Sequence, residues 1–298
     1  MGSSFRGELA ALTAAFLWAV STVIFGRLGK RLSPLILNLI KGLMAIALIS
    51  LTLLLQQNEL TRTEPLPYVL LLLSGMIGIG LGDTAYFSAL NHLGPRRVLL
   101  MESVAPPIAA LLAWIFLAEV LGLVAWLGIL LTLVGVAWVI SERVPDVNPQ
   151  LADPRRGVLL GLLAALGQAV GVVMSRAALT STTIDPLWST LLRLSGGVLM
   201  LTILLLARRQ VWSEMQPLRS PRLVSVVALA AVLGTYLALW LQQTALKFAP
   251  AGIAQSLMAT SPLFILPIAL WLGDRVSLRA VGGVGISLIG IWLLFVQG

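Results

Sequence analysis

Two carboxylates stand in a stretch of this chain that is otherwise apolar enough to lie in a membrane. The stretch runs from Gly75 to Pro107, and the carboxylates are those of Asp83 and Glu102. A charged side chain at membrane depth is costly, so it usually faces a partner or a water-filled cavity. These two acids are therefore the first candidates for function.

The composition supports a membrane setting. Of the 298 residues 58% are hydrophobic and 11% are charged, and the mean hydropathy is +0.98. Soluble domains carry about 25% charged residues, so we predict an all-α polytopic membrane protein. Cationic loops on the cytoplasmic side explain the net charge of +8, and no nucleic-acid partner is expected.

The sequence argues against catalysis. It contains no cysteine and one histidine, His92, so it offers no credible zinc site or nucleophile–base pair. It also lacks a Walker motif for ATP hydrolysis. We expect no catalytic residue, no metal and no cofactor, and we interpret His92 as a turn residue in a loop.

Apolar segments of about 20 residues predict ten membrane-spanning helices. These spans are 7–26, 34–55, 67–90, 97–118, 121–140, 157–176, 186–207, 223–246, 251–272 and 278–297. The polar stretch 142–156 predicts a linker between two five-helix units, 1–141 and 157–298.

The two units repeat each other in order. SALNHLGPRRV matches TALKFAPAGIA, which aligns Ala89 with Ala245. The segment that ends in Glu119 matches the one that ends in Asp274. Because each unit has five spans, the second unit enters the membrane upside down. Inverted repeats of this kind place a substrate site near the midplane between them.

Loop charges predict the orientation. Of the 20 Lys and Arg residues, Lys41 and Arg193 lie deep within spans, four lie on the side shared by both termini, and fourteen lie on the other side. Positive residues accumulate on the cytoplasmic side. We therefore expect both termini on the non-cytoplasmic side of the plasma (inner) membrane.

In these features the chain resembles the EamA-type members of the drug/metabolite transporter superfamily. The matching features are Trp18 late in the first span, a basic residue early in the second helix of each half, and GDTAYFSAL around Asp83. Others are the Pro-containing helix that ends in an acid and the Gly-rich fifth helix of each half. The resemblance implies a secondary carrier, often an exporter of amino acids or other small metabolites. It also implies alternating access around a central cavity.

The second half departs from the first in its polar residues. Gln168 stands where Trp18 stands, and no acid corresponds to Asp83 or Glu102. A central site would therefore be chemically asymmetric.

Helix rise places three charged residues in one layer. Lys41 and Asp83 lie ~10 Å from the predicted cytoplasmic face, and Glu102 lies ~7–8 Å from it. We expect a cluster of these three residues in which one carboxylate lacks its own cation and is a candidate proton site. Alternatively, Asp83 caps a broken helix in the run Gly75–Gly82, Glu102 caps the start of span four, and Lys41 snorkels to the interface.

Arg193 is the corresponding cation of the second half. It lies ~10 Å from the opposite face, and the nearby polar residues are the amides Gln242, Gln243 and Gln255. A buried guanidinium without a carboxylate predicts a site for an anionic substrate group. The alternative is that Arg193 bonds backbone carbonyls released by Pro262 and Pro267.

Other polar and aromatic side chains at helical positions could stack on or hydrogen-bond an organic solute, although each could instead be a packing residue. These are Trp18, Tyr86, Gln168, Tyr236, Trp240, Gln243 and Gln255. Pro106 and Pro262 are expected to weaken the middle of spans four and nine. The glycines of spans five and ten would let those helices pack closely on each other or on a neighbour.

The expected partners are a small-molecule solute and the lipid bilayer. One chain is sufficient for a complete cavity, and an oligomer is compatible with the sequence. A lipid flippase, a channel-like facilitator and, further removed, an intramembrane enzyme using Asp83 and Glu102 remain as alternatives.

Overall fold

The computed structural model of the chain describes residues 5–28, 31–60, 63–141, 154–207, 220–264 and 278–297. Every regular element within these ranges is helical, as predicted. The helices, numbered in chain order, are α1 Arg6–Leu28, α2 Pro34–Leu55, α3 Pro65–Gly75, α4 Thr84–Glu102, α5 Ala105–Leu117, α6 Leu123–Ser141, α7 Pro154–Thr180, α8 Pro186–Leu206, α9 Pro221–Ala231, α10 Ala238–Phe248, α11 Ala251–Met258 and α12 Leu278–Gln297.

Seven helical stretches among the described residues are long and apolar enough to cross a membrane. They coincide with the predicted first, second, third, fifth, sixth, seventh and eighth spans. The fourth and tenth predicted spans correspond to shorter apolar helices, Ala105–Leu117 and Val281–Val296. The ninth runs beyond the described residues after position 264. The membrane character is confirmed, and the count of ten stays a prediction.

The fourth span differs from the prediction. The expected loop at 91–96 is helical and lies within α4, so His92 is a helix residue and not a turn residue. The break falls instead at Ser103 and Val104, directly before the proline-containing start of α5. Proline is well tolerated in the first helical turn, where its missing N–H costs little. Pro106 therefore begins a helix rather than weakening the middle of one.

The predicted linker 142–156 is shorter than expected at its C-terminal end. Helix α7 begins at Pro154, again because proline suits a first helical turn. Residues 142–153 lie outside the described part of the chain.

Two π-helical segments occupy corresponding places in the two halves. The first, Met76–Asp83, joins α3 to α4, and the second, Val232–Leu237, joins α9 to α10. They begin 156 positions apart, which is also the separation of Ala89 and Ala245 in the aligned repeat. The π-helix is rare and is frequent at functional sites. The two halves therefore repeat each other in local backbone geometry as well as in sequence.

The ends of α4 and α11 follow the same spacing. Helix α4 ends at Glu102 and α11 ends at Met258, again 156 positions apart. The next helical residues within the described chain follow three positions later, one residue ahead of Pro106 and Pro262. Both halves therefore interrupt the helix at the same place.

Glycines bring α6 and α12 into backbone contact. A methyl group on Gly135 would lie 2.5 Å from the carbonyl oxygen of Gly283, and one on Gly290 would lie 2.7 Å from that of Gly128. The expected close packing of these two helices is confirmed.

A second glycine contact joins the two halves. A methyl group on Gly75 of α3 would overlap the carbonyl oxygen of Arg193, and one on Gly196 of α8 would overlap that of Leu72. Small residues allow such close approach of membrane helices. This contact places Arg193 directly beside the first π segment.

Candidate functional site

Lys41 and Asp83 form a buried ion pair, as predicted. Asp83 is the last residue of the first π segment, and Lys41 reaches it from α2. The Lys41 Nζ to Asp83 Oδ2 distance is 2.8 Å, and the two side chains are 9% and 19% exposed. The lysine therefore does not snorkel away from the acid.

Two phenylalanine rings complete the surroundings of the lysine ammonium. Its nitrogen lies 5.6 Å from the ring centroid of Phe25 and 5.1 Å from that of Phe87, distances at which cation–π attraction operates. Tyr86 packs edge-on against Phe87 with 5.6 Å between centroids. The sequence analysis missed both phenylalanines, although Phe87 follows Asp83 by four residues, a spacing that puts two helical side chains on one face.

Gln168 contributes from the other half of the chain. Its Nε2 on α7 donates a hydrogen bond to Asp83 Oδ1 at 3.1 Å. Its Oε1 is buried and accepts no hydrogen bond. The residue predicted to contact a solute thus holds the aspartate with one atom and leaves an acceptor unused with the other.

Glu102 does not join the ion pair. Among the described residues no ion pair connects it to Lys41. Its Oε1 is buried without a hydrogen-bond partner. Of the predicted three-residue cluster, the structure pairs Lys41 with Asp83 and leaves Glu102, at the end of α4, outside the pair.

Arg193 is 1% exposed and has a neutral partner. Its Nη1 donates to Gln242 Oε1 at 3.1 Å, while its Nε has no acceptor. Within the described ranges no carboxylate lies at ion-pair distance from the guanidinium. Its Nη2 lies 3.0 Å from where a methyl group on Gly78 would stand.

Arg193 and Asp83 adjoin more closely than their predicted depths suggested. Gly78 lies in the same π segment as Asp83, and a methyl group on it would lie 3.0 Å from Arg193 Nη2 and 3.8 Å from Oε1 of Gln168, the residue bonded to Asp83. The reason is the backbone contact of α3 with α8, which helix-rise estimates do not include.

Two glutamines of α10 form hydrogen bonds to α8, the helix that carries Arg193. Because guanidinium only donates hydrogen bonds, Gln242 must present its oxygen to it, which leaves Gln242 Nε2 as an unused buried donor. Gln243 Oε1 accepts from Ser189 Oγ at 3.2 Å, and Gln243 Nε2 is also unused. Gln255, the third predicted partner, is buried on α11 but forms no hydrogen bond to Arg193.

The remaining predicted aromatic residues gather around another apolar cluster. Trp18, Tyr236 and Trp240 all pack against it. Trp18 Nε1 donates to Gly234 O at 2.9 Å, and Tyr236 Oη is 2.9 Å from Thr52 Oγ1. The polar side-chain atoms of Trp18 and Tyr236 therefore already have protein partners.

A second ion pair was missed by the sequence analysis. Arg176 Nε lies 2.5 Å from Glu119 Oε1, and Arg176 Nη1 donates to Leu246 O at 2.7 Å. Glu119 Oε2 in turn accepts from the backbone N–H of Ala251 at 2.9 Å. The pair ties the first half to the turn between α10 and α11. The only sequence signal for this ion pair was the nearby end of α10, where backbone carbonyls lack partners within the helix.

The cavity found among the described residues lies away from the charged residues of the candidate site. A cavity of about 570 Å³ lies between the end of α2 and the start of α8, and it is lined by Ser50, Leu53, Leu54, Gln57, Asn58, Glu59, Trp188 and Leu191. None of the predicted site residues lines it. No group of acids and histidine within the described residues could hold a metal ion.

Comparisons with known proteins agree with this architecture. A crystal structure of another protein superposes on this chain with a TM-score of 0.78 at 17% sequence identity. The superposition covers 96% of this chain and 95% of the other chain. At that identity the likeness shows the fold alone. No curated protein sequence matches the chain. The model of the EamA-like transporter family matches residues 5–141 and again residues 155–296. The chain therefore belongs to the EamA-like transporter family, whose members are membrane transporters of the drug/metabolite superfamily.

Proposed function

We propose that this protein is a secondary transporter that moves a small organic metabolite across the plasma (inner) membrane by alternating access. The solute is an amino acid or a similar compound with an anionic group, and transport is proton-coupled export. The proposal includes ten spans in two inverted five-helix units, 1–141 and 157–298, with both termini on the non-cytoplasmic side. Family membership, the repeated backbone geometry and the asymmetry of loop charge support it.

The observation that carries the proposal is the unmatched hydrogen-bonding of Arg193. Its Nε and the Nε2 atoms of Gln242 and Gln243 are buried donors without acceptors. A buried donor left unpaired costs free energy, and a carboxylate or phosphate would supply several acceptors at once. An anionic group bound here would also compensate the guanidinium charge.

The burial of these donors supports alternating access. Arg193 and Gln242 are each 1% exposed, and Gln243 is fully buried. A solute can therefore reach them only when helices move apart. In the proposed cycle this structure is a closed state.

A thermal-shift screen tests the anion site. Purified protein is heated with amino acids, nucleotides, sugars and neutral drugs, in the wild type and in Arg193→Gln. We expect anionic ligands to raise the melting temperature of the wild type and to lose that effect in the variant. Arg222→Gln, at an exposed arginine, is the charge-matched control and should behave as the wild type. Equal losses for neutral and anionic ligands in Arg193→Gln would count against the site.

Proton coupling is tested with the ligand that the screen identifies. Glu102 lies at the C-terminal end of α4 with a buried, unpartnered oxygen, and Asp83 has Lys41 as its cation. We expect accumulation in proteoliposomes against a gradient, abolished by an uncoupler, and a changed pH dependence in Glu102→Gln or Asp83→Asn. Unchanged pH dependence in both variants would refute proton binding at these acids. The absence of accumulation would favour a facilitator, and accumulation that survives the uncoupler would count against proton coupling.

A further inference from the structure

Each π segment receives a hydrogen bond from a side chain of a neighbouring helix. Asn38 Nδ2 on α2 donates to Ile79 O in the first segment at 2.9 Å. Trp18 Nε1 on α1 donates to Gly234 O in the second segment at 2.9 Å. Both distances are those of good N–H···O bonds.

The π geometry explains why such donors are present. A π turn inserts one residue into the α-helical ladder, which changes the bonding register of the carbonyls around it. Helices bend where the ladder is disturbed and where another side chain enters it. A side chain that donates a hydrogen bond at that point stabilises one backbone arrangement. The alternatives that it disfavours are a regular α-helix and a helix with a different bend.

The positions of the two segments connect them to the charged site. Asp83 is the last residue of the first segment, and Gln242 follows the second segment by five residues. A change of register or bend in either segment would therefore displace a residue of the site. Gly78 and Gly234, aligned in the repeat, let neighbouring helices approach the two segments closely.

We infer that the two π segments are paired bending points of the transport cycle and that Asn38 and Trp18 are positioning residues, each holding one segment in the conformation of this structure. The inference rests on the proposed carrier cycle. It gives Trp18 a role in the conformational equilibrium instead of the solute contact that its position suggested.

The test measures the accessibility of each end of the protein without any solute. The chain has no cysteine, so single cysteines can report directly. Ser88→Cys on α4 and Ser175→Cys on α7 place a thiol near opposite ends of the protein, and maleimide labelling rates are measured in lipid nanodiscs. In Trp18→Phe, which keeps the ring and removes the donor, one rate should rise and the other fall by about threefold, the factor that an average transmembrane hydrogen bond is worth.

Trp188→Phe is the matched control. It removes an indole N–H that donates to Asn58 O at 3.2 Å, outside both π segments, and should leave the two rates unchanged. Asn38→Leu should also move the rates in opposite directions, and it serves alone if Trp18→Phe does not fold. Rates that rise together in the folded variants, or that do not change, would overturn the inference. Because no solute is used, this result is independent of whether the ligand screen succeeds.

Discussion

Lys41 and Arg193 occupy corresponding places in the two halves, yet their surroundings are opposite in kind. The Lys41 ammonium has a carboxylate at 2.8 Å and two aromatic rings beside it. The Arg193 guanidinium has one neutral amide at 3.1 Å and an unused donor. The first cation is compensated within the protein, and the second is not. A repeated fold can thus use one copy of a position for structure and leave the other available to a ligand.

A glycine contact holds the surroundings of Lys41 and of Arg193 together in one site. Gly75 lies against the backbone of Arg193 with no room for a Cβ. The same contact places Arg193 beside the π segment that ends in Asp83. Disrupting this contact should therefore have the largest effect on the arrangement of the two regions.

The largest effect is expected for Gly75→Ala. The added methyl group meets a backbone carbonyl, which cannot rotate away as a side chain can, so we expect a loss of about 3 kcal/mol or more in the free energy of unfolding. Chemical denaturation in detergent measures it. Gly282→Ala, where a methyl group has nothing within 4 Å, is the control. It should be neutral or slightly stabilising, and equal losses for the two variants would show that the α3–α8 contact is looser than described.

The next largest effect separates the two cations. Lys41→Met leaves Asp83 without its cation, and breaking a buried ion pair from one side costs about 3 kcal/mol. Arg193→Met breaks no ion pair among the described residues and leaves one amide oxygen unpaired, which costs about 1 kcal/mol. The same denaturation experiment compares them. Equal losses for the two variants would contradict the difference between the two halves. Recovery of the lost stability when Asp83→Leu is added to Lys41→Met would support it.

The smallest effect distinguishes the two bridging glutamines. Gln168→Leu removes a hydrogen bond to the Asp83 carboxylate, for which we expect a loss of about 2 kcal/mol. Gln243→Leu removes a bond to the neutral Ser189 hydroxyl, for which about 1 kcal/mol is expected. The difference should vanish in an Asp83→Asn background, because the acceptor then carries no charge. A difference that persists there would assign it to packing instead.

Part of the site followed from counting residues along helices. Lys41 and Asp83 were placed at one depth by helix rise, and they are paired. Gln242 was named as a neutral partner of Arg193, and it is bonded to it. Such inferences succeed when two residues lie on neighbouring helices, because depth then determines most of the distance between them.

The same counting did not succeed where the backbone departs from a regular helix. The helix continues through the expected loop before Glu102 and breaks after it, so the glutamate ends a helix instead of standing inside span four. Depth alone did not reveal Phe87 beside Lys41, because depth does not say which side of its helix a residue faces. Register and rotation depend on contacts between helices, which a single sequence does not display.

The sequence by itself determined that this is a helical membrane protein built from two similar halves, with an acidic layer in one half and a lone arginine in the other. Those properties follow from hydropathy, residue order and charge, which are local. The tertiary structure decided which charges are compensated, because that depends on the glycine contact between α3 and α8 and on two π segments that set the rotation of their helices. Compensation is a matter of a few ångströms between atoms far apart in the chain, and only packing sets such distances.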